Sequence, residues 1–226
     1  MKIRETLSST SLAAALAGLA LAASAVGQER AQASAPPTTP PPEAESPSWE
    51  FGVSGALYLL PDEEDFLQPT LKAGRGRLHL ETRYNYEDRE SASFFAGANF
   101  GFGSKVELTL VPMLGGLVGQ TDGIVPALEA DLTVGPFEAY GEAEYVVDLG
   151  DSSSSYFYMW SELSLWPTEW LRAGLVTQRT RVYQTERDIQ RGPLVGVSWR
   201  GVEGAVYFFN PGSDDHLVVV SLAVSF

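Results

Sequence analysis

The chain contains no cysteine and only two histidines, His79 and His216. The first absence excludes a disulfide framework, a thiolate metal site, a cysteine nucleophile and a lipidated N-terminal cysteine. The second leaves no multi-histidine metal centre. Basic side chains are scarce too: 15 Lys and Arg stand against 29 Asp and Glu, a net charge of −14 at pH 7. Phosphate backbones need a basic surface, so nucleic acid is excluded as a partner. Nor is there an apolar run of the ~18 residues that a spanning helix requires.

What is present begins with an export signal. Lys2 and Arg4 precede an unbroken run of Ala, Leu and Gly over Leu12–Ala23, and Ala23-Ser24-Ala25 supplies the small residues that a signal peptidase reads. A second candidate cleavage site, Ala31-Gln32-Ala33, lies close by. We therefore expect a cleaved signal peptide over residues 1–25. Residues 26–48 follow as a solvated leader, because six of the 14 prolines fall between Pro36 and Pro47 and proline favours extended, unpaired backbone.

From Trp49 to Phe226 the hydrophobic period is two. Trp49, Phe51, Val53, Leu57 and Leu59 alternate with Glu50, Ser54 and Tyr58; Leu78, Leu80, Thr82, Tyr84 and Tyr86 alternate with Arg77, His79, Glu81, Arg83 and Asn85. Phe137, Ala139, Ala143, Tyr145 and Val147 likewise alternate with Glu138, Tyr140, Glu142 and Glu144. Each stretch reads as a strand with one apolar and one polar face. Alternation alone does not separate a soluble sandwich, apolar inside, from a membrane barrel, apolar outside.

Connection lengths and tryptophans separate them. Short turns near Gly74-Arg75-Gly76, Gly103-Ser104, Gly135-Pro136, Pro167-Thr168 and Arg200-Gly201 alternate with longer loops near Pro61–Asp65, Glu87–Ser91, Gly115–Gly123, Leu149–Ser155, Gln184–Gln190 and Pro211–Asp215. Eleven connections give twelve strands, with ten as the alternative count. The weakest strand is Phe66–Ala73, which holds Pro69. Trp49, Trp166, Trp170 and Trp199 all fall beside the short turns, where an aromatic girdle sits at a lipid interface. The predicted fold is all-β: a transmembrane antiparallel up-and-down barrel over residues 49–226.

On these features the chain resembles the broad class of small, porin-like bacterial outer-membrane β-barrels. The resemblance implies a location in the outer membrane, contact with its lipid and lipopolysaccharide, and no cofactor. Val218–Phe226 is similar to the C-terminal signal of such proteins, which implies that the barrel-assembly machinery reads Phe226. The match carries no catalytic motif.

With apolar faces to lipid, the inward set is charged. It comprises Glu107, Glu129, Asp131, Glu138, Glu142, Glu144 and Glu162 as an acidic wall, and Arg77, His79, Arg83 and Arg172 as a basic side. Tyr140, Tyr156, Tyr158 and Trp160 add aromatic bulk. Twelve strands enclose a backbone diameter of about 24 Å and, after side chains, a lumen of about 10 Å. An acidic constriction favours cations. We expect a narrow, gated diffusion pore for small solutes, with a charge-plugged structural or adhesion barrel as the alternative. Parity also carries Arg179, Arg181 and Arg191 outward near the long-loop end, where guanidinium groups suit lipid phosphates. A lipid-modifying enzyme using His79 and Glu81 is the least favoured reading. No Ser shares that face of the strand, and there is no GxSxG, HExxH, P-loop or EF-hand spacing.

Overall fold

A computed structural model describes residues 47–61, 64–182 and 188–226, leaving out the side chains of Thr180, Arg181, Val182 and Asp188. The expected signal peptide and almost all of the leader therefore lie outside the described residues, as do part of the acidic segment Asp62–Asp65 and the Arg181 side chain.

The described chain is built almost wholly of strands. They are β1 (Trp49–Leu59), β2 (Phe66–Arg75), β3 (Leu78–Tyr84), β4 (Ala92–Ala98), β5 (Phe100–Phe102), β6 (Val106–Val118), β7 (Gly123–Val134), β8 (Phe137–Asp148), β9 (Tyr156–Thr168), β10 (Leu171–Val182), β11 (Asp188–Trp199), β12 (Val202–Phe209) and β13 (Leu217–Ser225). β4 and β5 both pair with β6 and form one wall strand interrupted at Asn99. The wall thus has the twelve strands that the turn pattern predicts. Successive strands pair antiparallel, β13 returns to β1, and β4–β6 completes the ring. A closed ring has no free edge, so every wall strand is paired on both sides.

Pro69 does not remove its strand. β2 keeps its ladder to β1 through Gly55↔Pro69, while its ladder to β3 stops at Thr70↔Arg83. Proline lacks the N–H that would carry that second ladder further. At the short-turn end the first and last strands clasp: Phe51 and Phe226 exchange two backbone hydrogen bonds of 2.9 Å each. The loop expected over Gly115–Gly123 is shorter than its sequence suggests, because β6 runs on to Val118.

The outer surface is apolar. Phe51, Leu71, Phe94, Leu114, Leu163, Leu175, Val195 and Leu222 are all exposed, on β1, β2, β4, β6, β9, β10, β11 and β13. An apolar band of that extent has no counterpart on a water-soluble monomer and is the surface that lipid covers.

The lumen differs from the expected polar tube. Its long-loop half is packed with apolar side chains: Phe209, Val219, Leu194 and Val176 with Tyr58 and Trp160 on one side, and Val125, Val146, Leu117 and Phe95 on the other. Trp160 meets Tyr207 and Phe209 edge-on, with ring centroids 5.1 and 5.4 Å apart. These strands are apolar on both faces at that end, and the inward residues fill a ring too narrow to stay empty.

Candidate functional site

Level with part of this apolar packing, where Glu142 and Glu144 stand opposite Trp160 and Tyr158 in the β8–β9 ladder, a charged collar crosses the lumen. Alternation in β3 turns His79, Glu81 and Arg83 inward while Leu78 and Leu80 stay exposed. Alternation in β8 likewise turns Glu142 and Glu144 inward. β3 and β8 are not neighbours in the wall. Even so, the Arg83 guanidinium reaches Glu142 at 2.6 Å and also bonds Glu144. Its Nε donates to Glu81 at 2.6 Å, and it lies 3.5 Å from Glu87 and 3.7 Å from Glu129. The Arg83 side chain is 1% exposed, so bulk water reaches it from neither mouth.

The rest of the collar secures this centre. Lys72, opposite Glu81 in the β2–β3 ladder, places its ammonium 2.8 Å from Glu129 and 3.3 Å from Glu81. His79 Nε2 lies 3.0 Å from Glu81. The hydroxyls of Tyr86 and Tyr140 both donate to Glu142 Oε2, at 2.8 and 3.2 Å. The Tyr86 ring also sits under the Arg83 guanidinium at 4.3 Å. Such a buried cation is held by many partners at once, because leaving it unpaired in a low dielectric is costly. Glu87, in the β3–β4 connection, accepts from Ser93 Oγ at 2.8 Å. Burial pushes its carboxyl above the ordinary range, against the pull of Arg83.

A second group lines the short-turn mouth. Arg172 bonds Glu162 at 3.0 Å, donates to the Tyr207 hydroxyl at 3.2 Å and lies 3.7 Å from Glu138. Trp160 Nε1 donates to the other oxygen of Glu162 at 2.8 Å. A cavity of about 350 Å³ opens here between Lys72, Asp131, Glu138, Tyr140, Arg172 and Glu203. We refer to it as the vestibule.

Several expected positions move. Tyr86 was expected outward, but β3 ends at Tyr84 and Asn85 takes a φ of +58°, which reverses the alternation and turns the Tyr86 ring in. Trp166 was expected in the lipid girdle. It continues the inward parity of β9, donating to Glu138 at 3.1 Å beneath the Arg172 guanidinium. Trp49 is exposed on the outer face beside Phe51, which stacks on Phe226; Trp199 is exposed on the same parity of β11 as Val195 and Val197, and Trp170 is exposed in the β9–β10 turn. Arg77 does not join the basic side of the lumen: it lies exposed in the β2–β3 turn against the Phe100 ring. Glu107 keeps inward parity but stays exposed near the β5–β6 turn, outside the collar. Tyr156 donates to the Glu87 carbonyl, and Tyr158 is buried against Tyr86.

On the outside, Arg179 stacks on Phe157 at 5.6 Å. Arg191 is exposed opposite Thr177, at a groove whose wall includes Leu175 and Pro193. For His79, the positions directly across both ladders are Gly74 and Gly97, so neither supplies a hydroxyl that the imidazole could activate.

Lys72 and Glu87 belong to the collar but not to the set of residues expected to line the pore, whereas Glu81 shares the inward parity of His79 and Arg83. Alternation with Leu67 and Leu71 marks Lys72 as inward. Glu87 lies past the Asn85 reversal, where parity gives no signal.

No family model matches the chain, and no curated protein matches it in sequence. Among solved structures, the KdgM porin superposes with a TM-score of 0.55 at 11% identity, covering 77% of this chain and 99% of that one. The KdgM porin in complex with disordered oligogalacturonate gives a TM-score of 0.54 at the same identity and coverage. The Acinetobacter baumannii outer membrane protein Omp33 gives 0.47 at 12% identity, over 79% of this chain and 98% of that one. The likeness to KdgM is one of fold: a closed, porin-like outer-membrane β-barrel of the kind described above.

Proposed function

We propose that this chain is a gated outer-membrane channel for small cationic solutes, with the vestibule as its entrance and the Arg83 collar as its gate. The observation that carries this reading is a surplus of carboxylate on the lumen wall. Five carboxylates, of Glu81, Glu87, Glu129, Glu142 and Glu144, share two cations, Lys72 and Arg83. The vestibule adds Asp131, Glu138, Glu162 and Glu203 around Arg172. A low-dielectric wall focuses such a field and raises the local concentration of cations. An oligogalacturonate, a polyanion, does not suit it. In this reading the exposed Phe226 serves assembly, and Arg179 and Arg191 face lipopolysaccharide phosphates.

A second reading is supported by the apolar packing of the long-loop half: a permanently closed barrel that acts through its loops. Planar-bilayer recording of the refolded chain under a salt gradient decides between them. A gated channel gives discrete steps with a cation-selective reversal potential, and Asp131→Asn with Glu203→Gln moves that potential toward zero. Arg83→Gln raises the open fraction. Silence from inserted, folded protein, wild type and Arg83→Gln alike, overturns the channel.

A further inference from the structure

The carboxylate surplus has a local focus beside the gate. His79 and Glu81 on β3, and Glu129 reaching across from β7, each turn one ligand atom to a common point, all three within 4.8 Å of one another. Their side chains are 10%, 1% and 10% exposed, so water competes weakly for them. The point is not open: the Lys72 ammonium is seated on Glu81 and Glu129. A cation is thus already selected there, and it is the most loosely held one in the collar. The Lys72 side chain is 38% exposed and forms part of the vestibule wall, so it can swing out to water along the path by which another ion would enter.

Two further observations favour an ion of higher charge. In the same collar, Oε2 of Glu87 and Oε2 of Glu144, together with Nη2 of Arg83, are buried without a hydrogen-bond partner. Buried carboxylate that outnumbers its counter-cations is costly, and one more positive charge lowers that cost for the whole cluster. The donor set is also specific. One imidazole nitrogen and two carboxylate oxygens with remaining positions open suit a borderline divalent ion more than Ca²⁺ or Mg²⁺, which prefer oxygen alone.

We propose that His79, Glu81 and Glu129 form a binding site for a divalent transition-metal ion of the Zn²⁺ type, with the Lys72 ammonium as its resident substitute. Ligands at the usual bond lengths of about 2.0–2.2 Å stand about 3.4 Å apart in a tetrahedron, so a small inward movement of Glu129 completes the triangle. Binding places the imidazole proton on Nδ1, leaving the Nε2 lone pair for the metal. The site does not require the barrel to conduct, and its test is independent of current.

The test is Zn²⁺ titration of the refolded full chain in detergent micelles, followed by calorimetry. Wild type takes up one ion saturably, and Lys72→Gln binds it at least about tenfold more tightly, because the competing ammonium is gone. Asp151→Asn, exposed in the β8–β9 connection away from collar and vestibule, leaves the affinity unchanged. His79→Gln in the Lys72→Gln background abolishes uptake. Where that variant does not fold, His216→Ala leaves a single imidazole in the chain. Co²⁺ must then shift its proton resonances paramagnetically. No uptake by wild type and Lys72→Gln, uptake that survives His79→Gln, or an unshifted imidazole overturns the site.

Discussion

Arg83 and Glu142 meet at 2.6 Å although their strands, β3 and β8, share no ladder. The contact is a chord across the barrel, not a link along its wall. It joins two arcs of the ring that backbone pairing alone connects only through the strands between them. The same chord crosses the lumen, so in the proposed channel one guanidinium bears on both the barrel's stability and its permeability.

Replacing Arg83 by Gln leaves Glu142 and Glu144 buried without their cation. Removing one partner from a buried ion pair costs about 3–5 kcal/mol. Urea unfolding from lipid vesicles should show a loss of that size. The double variant Arg83→Gln/Glu142→Gln recovers at least about 1 kcal/mol, because the two sites act on each other directly. Simple additivity of the two single losses would refute the coupling.

Wall spacing gives a second prediction. A Cβ built on Gly192 stands 1.8 Å from the Phe208 carbonyl oxygen and 2.8 Å from its carbon, both backbone atoms of the neighbouring strand. A Cβ built on Gly116 meets nothing within 4 Å. Gly192→Ala must push β11 from β12 and costs about 1–3 kcal/mol, as overpacking does. Gly116→Ala stays within about 0.5 kcal/mol of wild type. Equal unfolding midpoints for the two variants would show that the strands do not approach so closely.

The strand pattern was legible because a membrane barrel obeys a strict two-residue rule wherever its backbone is extended. The inward placement of Glu129, Glu142, Glu144, Glu162 and Arg172 follows from that rule, as does the twelve-strand count. The rule fails where the backbone leaves extended geometry. Asn85, with its positive φ, turned Tyr86 inward and left Glu87 without a parity signal. The apolar long-loop half of the lumen was written in Val218-Val219-Val220 and Val206–Phe209, where both faces are apolar. Alternation is silent there, because it reads the contrast between two faces and not the hydrophobicity of each. Nor does one strand's pattern tell which residues meet across the ring. That depends on the register of all twelve strands, so the convergence of Arg83 with β8 was not legible.

Tryptophan placement offers the last prediction, and it separates the wall's two faces directly. Trp166 and Trp199 both lie near the short turns, yet the first donates to Glu138 inside the mouth and the second is 69% exposed on the outer face beneath Arg200. In single-tryptophan variants, with the other four tryptophans replaced by phenylalanine, bilayers of brominated lipid should quench Trp199 strongly. Trp166, shielded by the wall, should remain bright. Trp166→Phe also removes a hydrogen bond to a carboxylate and costs about 1.5–3 kcal/mol, against about 0.5 kcal/mol for Trp199→Phe. Equal bromolipid quenching of the two tryptophans would place Trp166 in the girdle after all, and with it reverse the inward parity assigned to that end of β9.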